Sequence, residues 1–429
     1  MSKNYISIWI NIMTRVISVS IESWSEFSIK DICINISSGG TPSRKVPEYY
    51  LNGVHKWIKT QELKDCNIYD TDEHITDAAL KNSSAKIYPK NTISMAMYGA
   101  TVGKLGIMKS ECATNQACCN MVVDSTKADY RFLFYSLLYR REELIGLASG
   151  AAQQNLNVGV ISNFRINLPT LSEQKVIAAT LSVLDDMIEL NNQINKTLED
   201  MAQAIFKSWF VDFEPFKDGE FEDSELGLIP KGWRVGTIGS LCSNIFSGGT
   251  PLTSEPKYWN GIYPWLSSGE TRRPIIIKTE KSITDEGIIN SSTRLAKKYD
   301  IVIASAGQGH TRGQTAITLI DTYINQSVIA LSSQAFGYLF CNLKNRYDEL
   351  RAISDSSSIR GSLTTKILNR FPIILPPKEV LLEFQRIFEV IIEYCGQLAF
   401  QNEKLSEIRD TLLPKLMTGE IRVPVEEVI

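Results

Sequence analysis

Ser38-Gly39-Gly40-Thr41-Pro42 returns as Ser247-Gly248-Gly249-Thr250-Pro251, and this recurrence decides how the chain divides. Pro47-Glu48-Tyr49 is answered by Pro256-Lys257-Tyr258, and Asn52-Gly53 by Asn260-Gly261. Trp57 matches Trp265, an offset of 208 residues. At the same offset Ile75-Thr76-Asp77 matches Ile283-Thr284-Asp285, and Asn82-Ser83-Ser84 matches Asn290-Ser291-Ser292. After two inserted residues Asn115-Gln116 pairs with Asn325-Gln326, and the unit closes with Leu168-Pro169 against Leu375-Pro376. Ordered matches at a nearly constant spacing mark an internal repeat. A chain of 429 residues has room for two domains of ordinary size and their connections.

Each copy has two parts. The first, residues 24–170 and again 233–377, is rich in Gly, Ser, Thr and Asn turns around short β-prone runs such as 92–97 and 301–304. Each also carries a helical stretch, near Tyr130 to Leu147 and near Phe336 to Ile353. The expectation is a mixed α/β (α+β) globular domain in each copy. The second part, 171–212 and 378–417, has heptad spacing. Ile177, Leu181, Leu184, Ile188, Asn191, Asn195, Leu198, Ala202, Ile205 and Trp209 follow steps of four and three. Phe388, Ile391, Cys395, Leu398, Asn402, Leu405 and Leu412 keep that register. Such spacing lines one helix face for coiled-coil packing, and a seam Asn such as Asn195 or Asn402 sets register at a cost in stability. Both helices carry the seam, so they are expected to pair with each other; packing of each on its own domain is the alternative. A helix of about 40 residues spans on the order of 60 Å.

The net charge of −3 is unevenly spread. Seven acidic side chains against one Lys217 lie between Asp212 and Glu225, so 213–232 reads as an acidic linker or partner contact and the remainder is mildly basic. Eight cysteines show no Cys-x-x-Cys pair, and the chain has three histidines, which argues against zinc and for reduced thiols in a cytoplasmic protein. Residues 1–23 lack the cleavage pattern of a signal peptide, and no apolar run reaches the roughly 18 to 20 residues of a membrane span.

Ile205-Phe206-Lys207-Ser208-Trp209-Phe210-Val211-Asp212-Phe213-Glu214-Pro215 follows the first helix, and Ile229-Pro230-Lys231-Gly232-Trp233 opens the second copy. Leu412-Leu413-Pro414-Lys415-Leu416-Met417-Thr418-Gly419-Glu420-Ile421 ends the second helix. These spans closely resemble the conserved regions of the specificity subunit of type I restriction–modification systems, and the likeness runs from Trp24 onward. Only the N-terminal extension 1–23 has no place in that pattern; the acidic linker 213–232 joins the first helix to the second domain, and 418–429 forms a tail. The resemblance implies two target-recognition domains, each reading one half of a split sequence in double-stranded DNA. It implies that the helices pair as an antiparallel coiled coil, with pseudo-twofold symmetry, and space the halves through seam residues Ile188, Asn195, Leu198, Cys395, Asn402 and Leu405. Two methyltransferase subunits and motor-nuclease subunits would dock on this chain. S-adenosylmethionine would bind the methyltransferase partner, leaving this chain without a cofactor, a metal or catalytic residues.

Candidate DNA contacts follow from residue chemistry. Tyr98-Gly99-Ala100-Thr101-Val102-Gly103-Lys104 offers a tight loop and a cation; it departs from a P-loop at Tyr98 and Leu105. The corresponding stretch holds Gln308, His310, Thr311 and Arg312, with donors suited to base edges. Arg44 and Lys45 follow the first Ser-Gly-Gly-Thr-Pro turn, whose recurrence fits a folding role as well as a phosphate contact. Asn115-Gln116 and Asn325-Gln326 fit an adenine edge or a buried polar network. Gln153, Gln154 and Arg360 lie in late stretches that differ between the copies, as half-site readers or as freely diverging loops would. All the loops read equally as exposed turns. An enzyme is not indicated: Leu375-Pro376-Pro377-Lys378 is not the Asn/Asp-Pro-Pro-aromatic signature of an amino-methyltransferase, and no nucleotide fingerprint or nuclease cluster stands out. The alternative function is a duplicated coiled-coil interaction scaffold that reads no DNA.

Overall fold

The structure is a computed structural model; it describes residues 24–147, 155–307, 311–356 and 362–423. The chain forms two compact units, one of residues 1–187 with 405–429 and one of 188–404. Both long helices are shared: 171–187 and 405–417 belong to the first unit, 188–210 and 378–404 to the second.

The first unit begins with β1 (Ser25–Ser28), β2 (Cys33–Ser38), β3 (His55–Ile58), β4 (Cys66–Ile68) and β5 (His74–Ile75). It continues through β6 (Ile87–Tyr88), β7 (Ile93–Ala96), β8 (Leu105–Met108), β9 (Cys112–Thr114), β10 (Cys118–Val123) and β11 (Arg165–Leu168). One sheet has the order β2-β10-β7-β8-β4 and the other β5-β3-β9-β6. Strands β4 and β8, and β3 and β9, run parallel; their other neighbours are antiparallel. β1 pairs antiparallel with β11, so the domain starts and ends on adjacent strands. Central β7 is buried along its whole length, and its one polar residue, Ser94, is hydrogen-bonded inside the domain.

The second unit repeats this topology after a hairpin of β12 (Phe221–Ser224) and β13 (Gly227–Pro230). Its strands are β14 (Arg234–Thr237), β15 (Asn244–Ser247), β16 (Trp259–Leu266), β17 (Ile275–Ile276), β18 (Lys281–Ile283) and β19 (Arg294–Ala296). They are followed by β20 (Ile301–Ala304), β21 (Thr315–Thr318), β22 (Thr322–Ile324), β23 (Val328–Ser332) and β24 (Pro372–Leu375). The sheets are β15-β23-β20-β21-β17 and β18-β16-β22-β19, and β14 closes on β24. The sequence repeat is thus a repeat of strand order.

The shared turn is a packing device. A Cβ on Gly39 would strike the Thr114 carbonyl oxygen, and one on Gly248 that of Ile324. The next glycine carbonyl accepts a tryptophan N–H in both copies, Trp57 to Gly40 at 3.1 Å and Trp265 to Gly249 at 3.3 Å. Thr41 and Thr250 hydrogen-bond Gln116 and Gln326. Asn115 and Asn325 accept the backbone N–H two residues on, at 3.1 and 3.0 Å, which makes them turn formers. The interiors differ. Ser94 donates to Asn120 at 2.8 Å and Asn120 to Thr114 at 2.7 Å inside the first domain, whereas Val302, Ile324 and Ala330 fill the matching places in the second.

The helices of 40 residues, Leu171–Phe210 and Lys378–Met417, pair antiparallel within each unit. In the first, Arg409 meets Asp185 at 2.7 Å and Arg422 meets Glu173 at 2.6 Å. In the second, Asn191 donates to Asn402 at 2.8 Å and Asn402 to Asn192 at 2.9 Å. The helices also pack on the domains. Phe206, Phe210, Phe384 and Phe388 join Trp233, Tyr338 and Phe340 in one aromatic core, with Phe210 and Tyr338 centroids 4.8 Å apart. Seam positions Cys395, Leu398 and Leu405 are buried, while Ile188, Asn195 and Leu198 are half-buried.

Asn195 is not half of the Asn pair. The register set by Asn191 and Asn402 brings it level with Leu398, and its buried Oδ1 has no hydrogen-bond partner among the described residues. An unmatched buried polar atom costs roughly 1–3 kcal/mol. Asn195→Leu is therefore expected to stabilise the chain by about 1 kcal/mol or more, read from urea unfolding. A lower midpoint would show that Asn195 is needed where it stands.

The acidic stretch 213–232 joins the first long helix to the second domain as an ordered segment, with all seven carboxylates from Asp212 to Glu225 at exposed positions. Phe213 and Phe216 pack their rings on Trp233 at 5.5 and 5.0 Å, and Phe213 lies 6.0 Å from Phe221. Glu222 accepts the Gly232 N–H at 3.0 Å and Lys231 meets Glu220 at 2.5 Å. Aromatic residues between the carboxylates supply the buried side that a solvated linker lacks. Among the described residues no helix is long and apolar enough to cross a membrane, and no cluster of three or more His, Cys, Asp or Glu is placed to hold a metal. Burial pushes the thiols of Cys33, Cys118, Cys119 and Cys242 up to about 12, so they stay protonated and unreactive.

Candidate nucleic-acid interface

In each domain three elements converge at one end of the five-stranded sheet: the loop joining its central strand to the next, the turn before its parallel edge strand, and a short helix. In the first domain these are the β7–β8 loop, the turn after Thr60–Glu62, and helix Arg141–Gly146. In the second they are the β20–β21 loop, the turn Ser268–Arg272, and helix Tyr347–Ser356. The loop bases are built alike. Gly103 N–H donates to Ala96 and Gly313 N–H to Ala304, each at 2.9 Å, and both glycines have positive φ, 78° and 83°. The span between Gly99 and Gly103 is two residues shorter than that between Gly307 and Gly313, so the inserted pair of residues falls in this loop.

Lys104 is ion-paired, though its side chain stays 44% exposed: its Nζ meets Asp65 at 2.7 Å, and Asp65 also binds the Arg141 guanidinium. Arg141 Nε donates to the Gly103 carbonyl at 3.0 Å, fastening the loop to the helix. Tyr98 and Thr101 are half-buried on the loop. Arg44 meets Glu73 at 2.5 Å and lies over the Tyr50 ring at 4.2 Å. Together with Lys59 at 2.8 Å it draws the Glu73 carboxyl down to about 2. Lys45 is exposed.

In the second domain Thr311 is 3% exposed, and its hydroxyl accepts Arg272 Nε at 3.0 Å and Nη2 at 2.7 Å. This corrects its reading as a surface contact: Thr311 props the loop, and Arg272 occupies the outer position. Arg312 pairs with Asp355. Gln153, Gln154, Gln308, His310 and Arg360 lie outside the described residues. Sequence reasoning passed over Asp65, Arg141, Arg272 and Arg273. The signal was present in the repeat, because the offset of 208 sets Asp65 against Arg273 in an otherwise matched frame.

The interface so built is a polar, partly ion-paired loop cluster, repeated twice on one scaffold and joined to paired helices. Comparison with known proteins places that architecture. The type I restriction modification DNA specificity domain matches twice, over residues 21–200 and 230–409. The specificity subunit of the type I restriction enzyme MjaIX from Methanocaldococcus jannaschii is 29% identical over 412 residues, 94% of each chain. That of HindI from Haemophilus influenzae is 26% identical over 324 residues, 61% of this chain and 70% of its own. The crystal structure of the type I restriction–modification S subunit from M. genitalium shares the fold, with a TM-score of 0.59 at 20% identity over 93% of this chain and 98% of that one. The chain belongs to the specificity subunits of type I restriction–modification systems. Its part in such a system is non-catalytic.

Proposed function

We propose that each domain reads one half of a bipartite sequence in duplex DNA, and that the paired helices set the unread gap. The observation that carries this reading is where the copies diverge. Strand order, Gly turns, Trp caps and loop bases match, while the β7–β8 and β20–β21 loops differ in length and in nearly every side chain. Two readers of different half-sites need a common frame with different rims, since base edges are distinguished by the donors and acceptors presented to them. Two half-sites on a duplex also call for two readers at a set spacing.

The long helices are the docking surface for two methyltransferase subunits, which carry S-adenosylmethionine, and motor-nuclease subunits complete the assembly. Exposed apolar side chains on the helices support this. Leu190 and Met201 in the first helix are 55% and 49% exposed, and Val390 and Phe400 in the second 72% and 43%. The test is to co-express the chain with a cognate methyltransferase subunit in a methylation-free bacterial host and map modified adenines by single-molecule sequencing. A split motif with a fixed gap is expected. Soluble, associated chains that leave no motif would favour an interaction scaffold that reads no DNA.

A further inference from the structure

The two domains keep one frame at the base of the interface and reverse its charge. Register makes the comparison secure. Asn67 and Ile68 of β4 pair with Ile107 and Met108, as Ile275 and Ile276 of β17 pair with Ile317 and Thr318. The residue two before Asn67 is Asp65, and the residue two before Ile275 is Arg273. The Asp65 carboxylate gathers Lys104, Arg141 and the Leu105 N–H (3.1 Å), and its side chain is 18% exposed. In the second domain Gln314 and Tyr347 stand in the places of Lys104 and Arg141. The latter match is fixed by the residue before each, since Arg140 and Arg346 bind Glu143 and Glu349 in the same way.

Arg272 and Arg273 are exposed, and neither has an acidic partner among the described residues. Arg272 is steadied by the neutral Thr311 hydroxyl, which fixes its direction without cancelling its charge. A second reversal lies close in sequence. Glu73, which holds Arg44 and Lys59, is matched by Lys281, whose Nζ lies 5.5 Å from the Trp259 ring centroid. Between Trp233 and Pro377 there are sixteen basic and ten acidic side chains, against sixteen and fourteen between Trp24 and Pro169.

We infer that the second domain is the electrostatic anchor on DNA, with Arg272 and Arg273 forming a pair that binds backbone phosphates, while Asp65 keeps Lys104 and Arg141 of the first domain engaged within the protein. This rests on the DNA-reading function proposed above. Sequence-independent affinity comes from cations that displace counterions from phosphates, about 0.9 in the slope of log K against log salt for each phosphate neutralised. Cations already matched to a carboxylate contribute less to that slope. The first domain would then hold DNA weakly until its loops meet the correct bases.

The test uses the full chain and a fluorescent duplex of about 30 base pairs of arbitrary sequence, with affinity measured from roughly 50 to 300 mM KCl. Arg272→Ala with Arg273→Ala is expected to reduce the salt slope by about 2, and the paired Lys substitutions to keep it. Lys104→Ala should change the slope by less than about 0.5, and Asp65→Asn should steepen it by about 1. A slope unmoved by the arginine pair, or lowered as much by Lys104→Ala, overturns the anchor while leaving DNA reading intact. A folded parent chain with no affinity for any duplex overturns DNA reading, and the anchor with it.

Discussion

Gly248→Ala is expected to cost the second domain about 3 kcal/mol or more, seen as a loss of its unfolding midpoint in urea. The added methyl lands on the Ile324 carbonyl oxygen with the Ile324 backbone and side chain around it, and none of these is a flexible side-chain end. Relief would have to move β22, whose residues Tyr323 and Ile324 pair with Trp265 and Leu266. Overpacking of this kind typically costs 1–3 kcal/mol, and backbone atoms yield less than side chains. Gly269→Ala is the matched control, with no neighbour closer than 3.9 Å to its Cβ, and should stay within about 0.5 kcal/mol. The comparison also settles what the Ser-Gly-Gly-Thr-Pro turn does. A Gly248→Ala chain that unfolds at the parent midpoint but loses duplex affinity would make the turn a DNA contact instead of a packing device.

Exchange of residues 233–377 for the matching domain of a relative is expected to replace one half of the recognised sequence completely and leave the other half and the gap unchanged. The segment is a natural module, because β14 and β24 lie side by side and both chain ends enter and leave at one place. The same holds for β1 and β11 in the first domain. The incoming domain must carry a Trp at position 233, since Trp233 packs on Phe210, Phe213 and Phe216, and a smaller residue there would open a cavity beneath the hairpin. Maps of modified adenines before and after exchange give the result. Alteration of both half-sites would show that the domains do not read independently.

Much of the architecture was legible in residue order. The repeat located both domains, and the steps of four and three located both helices, because a period of about 3.6 leaves a mark that survives without knowledge of contacts. The hairpin at 221–230 was hidden by its charge: seven carboxylates resemble a solvated linker until Phe213, Phe216 and Phe221 are seen around Trp233. The interiors were equally opaque, since nothing along the chain joins Ser94, Thr114 and Asn120, which form a buried network in space.

What the sequence determined by itself was the duplicated frame and the long helices, which depend on spacing along the chain, and the family, which rests on the likeness of the spans 205–215, 229–233 and 412–421. What only the tertiary structure decided was which polar groups are spoken for. Lys104 and Arg44 look like available cations in sequence, yet Asp65 lies 39 positions from Lys104 and Glu73 lies 29 from Arg44. Thr311 reads as a surface hydroxyl and is covered by Arg272, again 39 positions away. Pairing across such distances is set by strand register and the packing of sheets and loops. A charge or hydroxyl is therefore free for a ligand only after the fold has taken its own partners.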